Sequence, residues 1–436
     1  MKHILAIDIG SFKTTAIIAN KENDELSISG VGITQSRGVK KGAINNIEEA
    51  SKSIKQAVNE AKRIAGIDVS KAIVSISSSY TKSTYSKGVV NLPKNEINIK
   101  EINRAIQAAI YNADIPNDYI VLHAIPYNFK VDELDEIEDP DGMNGSRLEV
   151  FLHIVLAKKN GIENLKKTFK LAGIEIAGIV NTSYASSLAV LNSDEKELGV
   201  AVIDIGSTTC DISIFNASSL RYVDFIGIGS HHITQDLSIA LHIPVSVAEK
   251  IKVRFEDLVL SNQDTIEVEK IGSSEKEEIP IKILAEVMSA RIEETFMLLN
   301  KEISEFKDLI GSGVVLTGGF TNFFRVRDIA AAYFDELPVR IGKPKVLNGL
   351  FEDLQAPEFA TAIGLLLYAN GYGNKYEKNY NQQFNNDNIF SEEKEEETQI
   401  QKEPKVEEPT VIIEKIDKNE NRSFIDFIKS WFKEHF

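Results

Sequence analysis

Cysteine is almost absent from this chain. Cys210 is the only one in 436 residues, so no internal disulfide can form, and the usage suits a reducing compartment. Its place inside an apolar run gives it a packing role. Basic residues are outnumbered, 49 Lys and Arg against 65 Asp and Glu, for a formal charge of −16. That balance argues against general nucleic-acid binding. Long apolar runs are missing, and none reaches the ~18–20 residues that span a bilayer. The seven histidines are scattered. Adjacent His231 and His232 face apart on any regular element, so no zinc site is expected. The chain begins MKHILAIDIG, entering an apolar strand at once, and no leader peptide is expected. What remains is 43% hydrophobic and 26% charged, the composition of a soluble globular protein with room for two domains and a tail.

One pattern occurs twice. Residues 199–215 read GVAVIDIGSTTCDISIF, and residues 3–19 read HILAIDIGSFKTTAIIA. Each is an apolar run, an Asp, a Gly, a small hydroxyl residue and a second β-branched run. This is the pattern of a β-hairpin with a polar tip. Gly10 and Gly206 let backbone approach a ligand closely. The amides of Ser11 and Phe12, and of Ser207, Thr208 and Thr209, are placed to form anion nests. Asp8 and Asp204 end their strands and can hold a hydrated Mg²⁺, an ion that keeps waters and takes few protein carboxylates. Two such tips facing each other would clamp a polyphosphate. The repetition predicts two similar α/β halves with the site in the cleft between them. A third element, GVVLTGGF at 313–320, reads as a strand ending at Gly318, Gly319 and Phe320.

The paired hairpins resemble the superfamily of actin, sugar kinases and heat-shock chaperone ATPases, in which they hold phosphates and the third loop carries adenosine. The resemblance implies an α/β, actin-like two-domain ATPase fold of duplicated ribonuclease-H-like halves.

Along the chain, helical spacing runs over 47–64, 160–171, 182–191, 232–241, 246–255, 284–306 and 322–334, with a closing segment at 359–369. Residues 80–159 interrupt the first half with one helix, 100–112, and two strand-like pieces, an inserted subdomain. Residues 261–278 read as polar and strand-poor. From 370 the chain turns Asn-rich and then acidic, and 370–422 is expected to be a disordered linker. In 423–436, SFIDFIKSWFKEHF, apolar residues return at helical spacing. Phe424, Ile425, Phe427, Ile428, Trp431, Phe432 and Phe436 share one arc of an amphipathic helix. Such a helix lies in a membrane interface and does not cross it.

The runs DPDGMNGSRLEV, VAEKIKVRF, LAEVMSARIEE and VRIGKP, with the two hairpins, GVVLTGGF and the tail, resemble the FtsA family of actin-like bacterial cell-division proteins. The resemblance covers 1–369 and the C-terminal helix. It implies subdomain IA at 1–82 and 160–196, insert IC at 83–159, IIA at 197–229 and 302–369 (with the closing helix), and IIB at 230–301. It further implies ATP and Mg²⁺ as cofactors, polymerisation with other copies of the chain, and a peripheral place on the cytoplasmic face of the inner membrane at the septum. Implied partners are membrane lipids, the C-terminal tail of the tubulin-like protein FtsZ, and later division proteins. By the same resemblance Lys13 joins the phosphate site as a point charge. Glu249 and Lys252 match ribose and adenine contacts, Gly318, Gly319 and Phe320 pack on adenosine, and Arg291 and Arg254 meet the FtsZ tail.

Related ATPases start the crossover helix with a Glu or Gln that positions water. Here residues 181–186 read NTSYAS, with no carboxylate. Weak or no hydrolysis is therefore expected, and no catalytic residue is assigned. The rival reading is a metabolite kinase of the same superfamily. It would need an Asp aimed at a substrate hydroxyl, and it leaves the acidic linker and amphipathic tail without a use.

Overall fold

The computed structural model describes residues 2–384, apart from 23–24, 94–95, 262–263, 273–275, 335–336 and 350–351. The acidic tract and the amphipathic segment 423–436, with its seven apolar residues, lie outside the described residues.

Two sheets of the same topology carry the two halves. In the first, the strand order is Glu175–Asn181, Lys71–Ile76, Lys2–Ile9, Lys13–Glu22, Glu25–Gln35 and the short Asn348–Gly349. In the second it is Ser219–Ile226, Cys210–Asn216, Val200–Ile205, Val314–Thr317 and Val339–Ile341. Each begins as a three-stranded antiparallel meander and continues with parallel strands on the far side of its first strand. The duplication predicted from the repeated hairpin is thus a duplication of topology. Strand Val200–Ile205 is buried at every position, as expected where both faces are covered and the apolar run is continuous.

Helix Ile47–Ala65 lays Ile54, Ala57 and Ala61 on the first sheet. The closing helix Ala360–Ala369 is nearly all apolar and buries into the first-half core with the crossover helix Thr182–Val190. The long helix Ile281–Ser304 covers the second sheet through Leu284, Met288, Ile292 and Phe296.

The insert has its own core. Strands Thr81–Asn91, Arg147–Lys158, Tyr119–Val131 and Leu134–Ile137 form a sheet, on which helix Ile99–Asn112 packs Ile102, Ala105, Ile106 and Ala109. It docks on the edge strand of the second half. The Val223 amide donates to Ser83 Oγ at 3.1 Å, and Ser83 Oγ lies 3.0 Å from the Val223 carbonyl. The Tyr85 hydroxyl donates to the Arg221 carbonyl at 2.6 Å. His153 Nδ1 donates to the Leu220 carbonyl at 3.0 Å. Burial lowers the His153 pKa to about 3, so this ring is neutral.

Three segments differ from expectation. Residues 261–278 are not strand-poor, because Thr265–Glu269 and Lys276–Pro280 pair as an antiparallel ribbon. Each strand buries only one apolar residue, Val268 or Ile279, so hydrophobic alternation is too sparse to read. The helix expected at 322–334 is confined to Val326–Ala331.

The largest difference is at 370–384, expected to begin a disordered linker. It is a strap bound across the body. Ala124 and Lys378 exchange backbone hydrogen bonds at 2.9 Å. Tyr376 is buried edge-on to Phe129 in the insert. Asn374 Nδ2 donates to the Pro126 carbonyl at 2.8 Å and to Ser219 Oγ at 3.2 Å. Glu377 is fully buried. Its carboxylate accepts from His123 Nδ1 (2.7 Å), Tyr368 OH (2.7 Å) and Tyr184 OH (2.8 Å). Polar composition signalled solvent here, but the polar groups are consumed by buried partners far away in sequence.

Candidate functional site

The two hairpin tips are built alike. The Gly10 amide donates to the Lys13 carbonyl at 3.0 Å, and the Gly206 amide to the Thr209 carbonyl at 2.9 Å. They face each other across a cleft and touch, with Thr208 Oγ1 donating to Ser11 Oγ at 2.8 Å. The cavity at this junction has a volume of about 460 Å³, within the range of small-molecule sites. Its wall includes all fifteen residues assigned to nucleotide from sequence: Asp8, Gly10, Ser11, Phe12, Lys13, Asp204, Gly206, Ser207, Thr208, Thr209, Glu249, Lys252, Gly318, Gly319 and Phe320.

Asp8 and Asp204 end the first strands of the two meanders. Ser75 Oγ donates to Asp8 at 2.8 Å, and Thr361 Oγ1 donates to Asp204 at 3.2 Å. Burial raises the Asp8 pKa to about 6 against the opposing Ser75 bond. Burial, then the charges of Asp211 and Asp8, raise Asp204 to about 7.

Asp211 is a third carboxylate on the wall, which the sequence reading passed over. It accepts from the Ser78 amide at 3.0 Å and from Thr209 Oγ1 at 3.1 Å. The signal for it was available, since Asp204 and Asp211 are direct cross-strand partners in the hairpin. In the first hairpin the partner of Asp8 is Thr15, so the duplicated tips are not chemically equivalent.

Gly318 closes the third side with φ +89°, and a Cβ there would stand 2.4 Å from Asp204 Oδ1. Only glycine fits that approach. Phe320 stacks on Phe323 (5.4 Å), and Phe323 on Phe255 (5.9 Å). Phe255 and Phe323 also line the cleft and give it an apolar shelf that was not expected from sequence. Opposite, Lys252 Nζ donates to Glu249 at 2.9 Å, to Thr234 Oγ1 at 3.0 Å and to the Ser230 carbonyl at 3.3 Å. Burial lowers the Lys252 pKa, against the pull of Glu249. Lys13 is held by Glu358 at 2.8 Å, with its ammonium 3.8 Å from the centre of the Phe359 ring.

The crossover helix starts at Asn181. Its side chain accepts from the Tyr184 amide (3.1 Å) and Ser183 Oγ (2.7 Å), and donates to Ser78 Oγ (3.1 Å) and Thr81 Oγ1 (3.2 Å). The amide is fully committed to structure.

Arg291 is on the long helix and is not among the residues that line the cleft. It is clasped by Asp236, with Nε donating at 2.5 Å and Nη2 at 3.2 Å, and by Glu294. Arg254 is more exposed and pairs with Asp257 at 3.6 Å.

These residues suit a metal-bound polyphosphate. Two carboxylates crowd each other at one end. At the tips a Cβ on Gly10 would lie 2.9 Å from the Lys13 carbonyl, too close without a shift, and one on Gly206 3.2 Å from that of Thr209, a tight contact. Fold and cleft define a protein of the actin-like class. Solved structures agree on the fold. The PilM–PilN type IV pilus biogenesis complex contains a chain superposing with TM-score 0.61 at 14% identity, over 84% of this chain and 97% of that one. MreB5 of Spiroplasma citri, solved bound to ADP, superposes with TM-score 0.52 at 13% identity, over 84% and 96%.

Sequence comparison is more specific. The family model described as "Cell division protein FtsA" matches residues 201–364, and "SHS2 domain inserted in FTSA" matches 78–156. The Helicobacter pylori cell division protein FtsA is 38% identical over 411 residues, 86% of this chain and 83% of the relative. That of Pseudomonas aeruginosa is 36% identical over 373 residues, 84% and 89%. The chain belongs to the FtsA family of cell division proteins.

Proposed function

We propose that this cell-division protein binds ATP with a hydrated Mg²⁺ in the cleft and uses it to set the cleft for polymerisation on the membrane, where it tethers the FtsZ ring and helps to recruit later division proteins. The observation that carries the nucleotide reading is the meeting of the two hairpin tips around Asp8 and Asp204. Bound Mg²⁺ would neutralise phosphate charge. Asp8 and Asp204 would orient its waters, the amides at 11–12 and 207–209 would receive phosphate oxygens, Glu249 and Lys252 would reach the sugar and base, and Phe320 would face the adenosine. In calorimetric titration at pH 7.5, Asp204→Ala is expected to lose ATP affinity by about 100-fold, the scale of removing a metal-orienting group. Equal affinity in the two proteins rejects the assignment.

Turnover is expected to be slow. Asn181 supplies no base, and its amide is tied into the helix start. Phosphoryl transfer depends on positioned groups and charge stabilisation, so nucleotide acts here chiefly by favouring one conformation over another.

The membrane and FtsZ contacts are carried over from the family. Residues 423–436 would lie in the lipid interface. One short helix binds reversibly, and many copies joined in a polymer bind with avidity. Deletion of 423–436, or Trp431→Glu with Phe427→Glu, is expected to abolish co-flotation with vesicles while nucleotide binding persists. High salt should weaken flotation only modestly, because the two lysines of this segment are balanced by two acids. Flotation of the truncated chain would place the anchor elsewhere. For the FtsZ tail, an acidic peptide would have to compete with Asp236 and Glu294 for Arg291, and with a longer ion pair for Arg254.

A further inference from the structure

Six carboxylates and only two ammonium groups, Lys13 and Lys252, line the cleft among the described residues. Both ammonium groups are already matched, Lys252 by Glu249 and Lys13 by Glu358. We propose that Glu358 is a specificity-determining residue, one that makes anion binding in this cleft depend on an accompanying divalent cation. The proposal rests on the polyphosphate reading of the site.

Glu358 is well placed for this role. It belongs to the turn Pro357–Phe359 that leads into the closing helix. One carboxylate oxygen holds Lys13 at 2.8 Å, and the other accepts from Asn322 Nδ2 at 2.7 Å, just beyond the Gly318–Gly319 loop. The Lys13 and Glu358 side chains are only 14% and 13% exposed, so water screens the pair weakly. The Phe359 ring beneath the ammonium, 3.8 Å from it, gives Lys13 a second contact that does not involve the carboxylate.

A polyphosphate arriving alone meets backbone amides and hydroxyls, a surrounding of carboxylates, and a lysine whose charge is already spent on Glu358. Arriving with a divalent cation, it carries the missing positive charge with it. Glu358→Gln keeps the shape of the side chain and an oxygen for Asn322, removes one negative charge and releases the Lys13 ammonium for phosphate.

The experiment is a calorimetric titration of the full chain with ATP, once with excess Mg²⁺ and once with EDTA, and a parallel titration with tripolyphosphate in EDTA. Thermal melts check that each variant is folded. Glu358→Gln is expected to tighten both ATP and tripolyphosphate binding in EDTA by about tenfold, while Mg²⁺–ATP affinity changes less than about threefold. Adding Lys13→Met to Glu358→Gln should cancel the gain, because the two changes act through one pair. The same ratio of Mg²⁺ to EDTA affinity in wild type and Glu358→Gln overturns the assignment, as does a gain that survives Lys13→Met. Wild type that does not bind ATP with Mg²⁺ overturns the nucleotide reading itself. A tripolyphosphate gain without ATP binding removes the nucleoside but keeps Glu358 as the charge gate.

Discussion

Glu377→Ala is expected to lower the unfolding free energy by about 3–5 kcal/mol, the cost of leaving buried donors without their charged acceptor. The Asn181 amide donates to His123 Nε2 at 3.2 Å. Nε2 must therefore be the bare nitrogen, and the proton sits on Nδ1, which donates to Glu377. His123 Nδ1, Tyr184 OH and Tyr368 OH thus all donate to the Glu377 carboxylate. Burial, reinforced by Glu377, pushes the Tyr184 and Tyr368 hydroxyls well above their ordinary pKa, so both remain donors.

Truncation to Ala strands all three donors in a region closed to water. Glu377→Gln should cost less, about 1–2 kcal/mol, because tyrosine hydroxyls can rotate to accept from its amide. Tyr184→Phe or Tyr368→Phe should cost about 1 kcal/mol each. Urea unfolding followed by far-UV circular dichroism measures these differences. A midpoint for Glu377→Ala equal to wild type would mean that the hydrogen bonds to Glu377 contribute nothing to the stability of the body.

Thermal stability of the ligand-free chain is expected to rise as pH falls from 7.5 to 5. The folded-state pKa values of about 6 for Asp8 and about 7 for Asp204 stand above the ordinary 3.8. The folded chain then keeps protons that the unfolded chain has released. The contribution is whole below the ordinary value and is lost as pH climbs through 6 and 7. At about 1.4 kcal/mol per unit, Asp8 opposes folding by on the order of 3 kcal/mol and Asp204 by on the order of 4 kcal/mol at pH 7.5.

His231, lowered by burial, works the other way below about 6.5, so the wild-type slope alone is not decisive. Asp204→Asn separates the two effects. It is expected to melt higher than wild type at pH 7.5, and the difference should shrink steadily as pH falls toward 5. A constant difference across that window would show that Asp204 is not the titrating group. Mg²⁺ with ATP should raise the wild-type melting temperature more at pH 7.5 than at pH 6, because protons and cation compete for the same carboxylates.

Much of this was legible because the duplicated hairpin is a local signal. Asp8 with Gly10 and Asp204 with Gly206 are set by short-range pattern, and the two meanders follow from the strands around them. Gly318 was legible for the same reason. Asp211 needed the hairpin register, which places it opposite Asp204. Glu358 needed tertiary structure, since its partner Lys13 lies at the other end of the chain. The strap defeated composition altogether. Its Asn, Tyr and Lys residues read as solvated, and nothing near them in sequence announces His123 or Tyr184. Arg291 was legible as a surface arginine on a helix, but its clasp by Asp236 comes from the helix Ser230–Leu241, which the spacing read as 232–241 without showing that it packs beside the long helix.

The docking of the insert has a consequence for crowding. The second sheet would otherwise end at strand Ser219–Ile226 with its main-chain groups open, and an open edge is a template on which another chain can add a strand. Ser83 occupies both the amide and the carbonyl of Val223, while Tyr85 and His153 take the carbonyls of Arg221 and Leu220. Three side chains thus imitate a missing strand without offering a new edge. Copies of this protein gathered at high density are thereby kept from fusing sheet to sheet through this border, and whatever contacts they make are left to other faces.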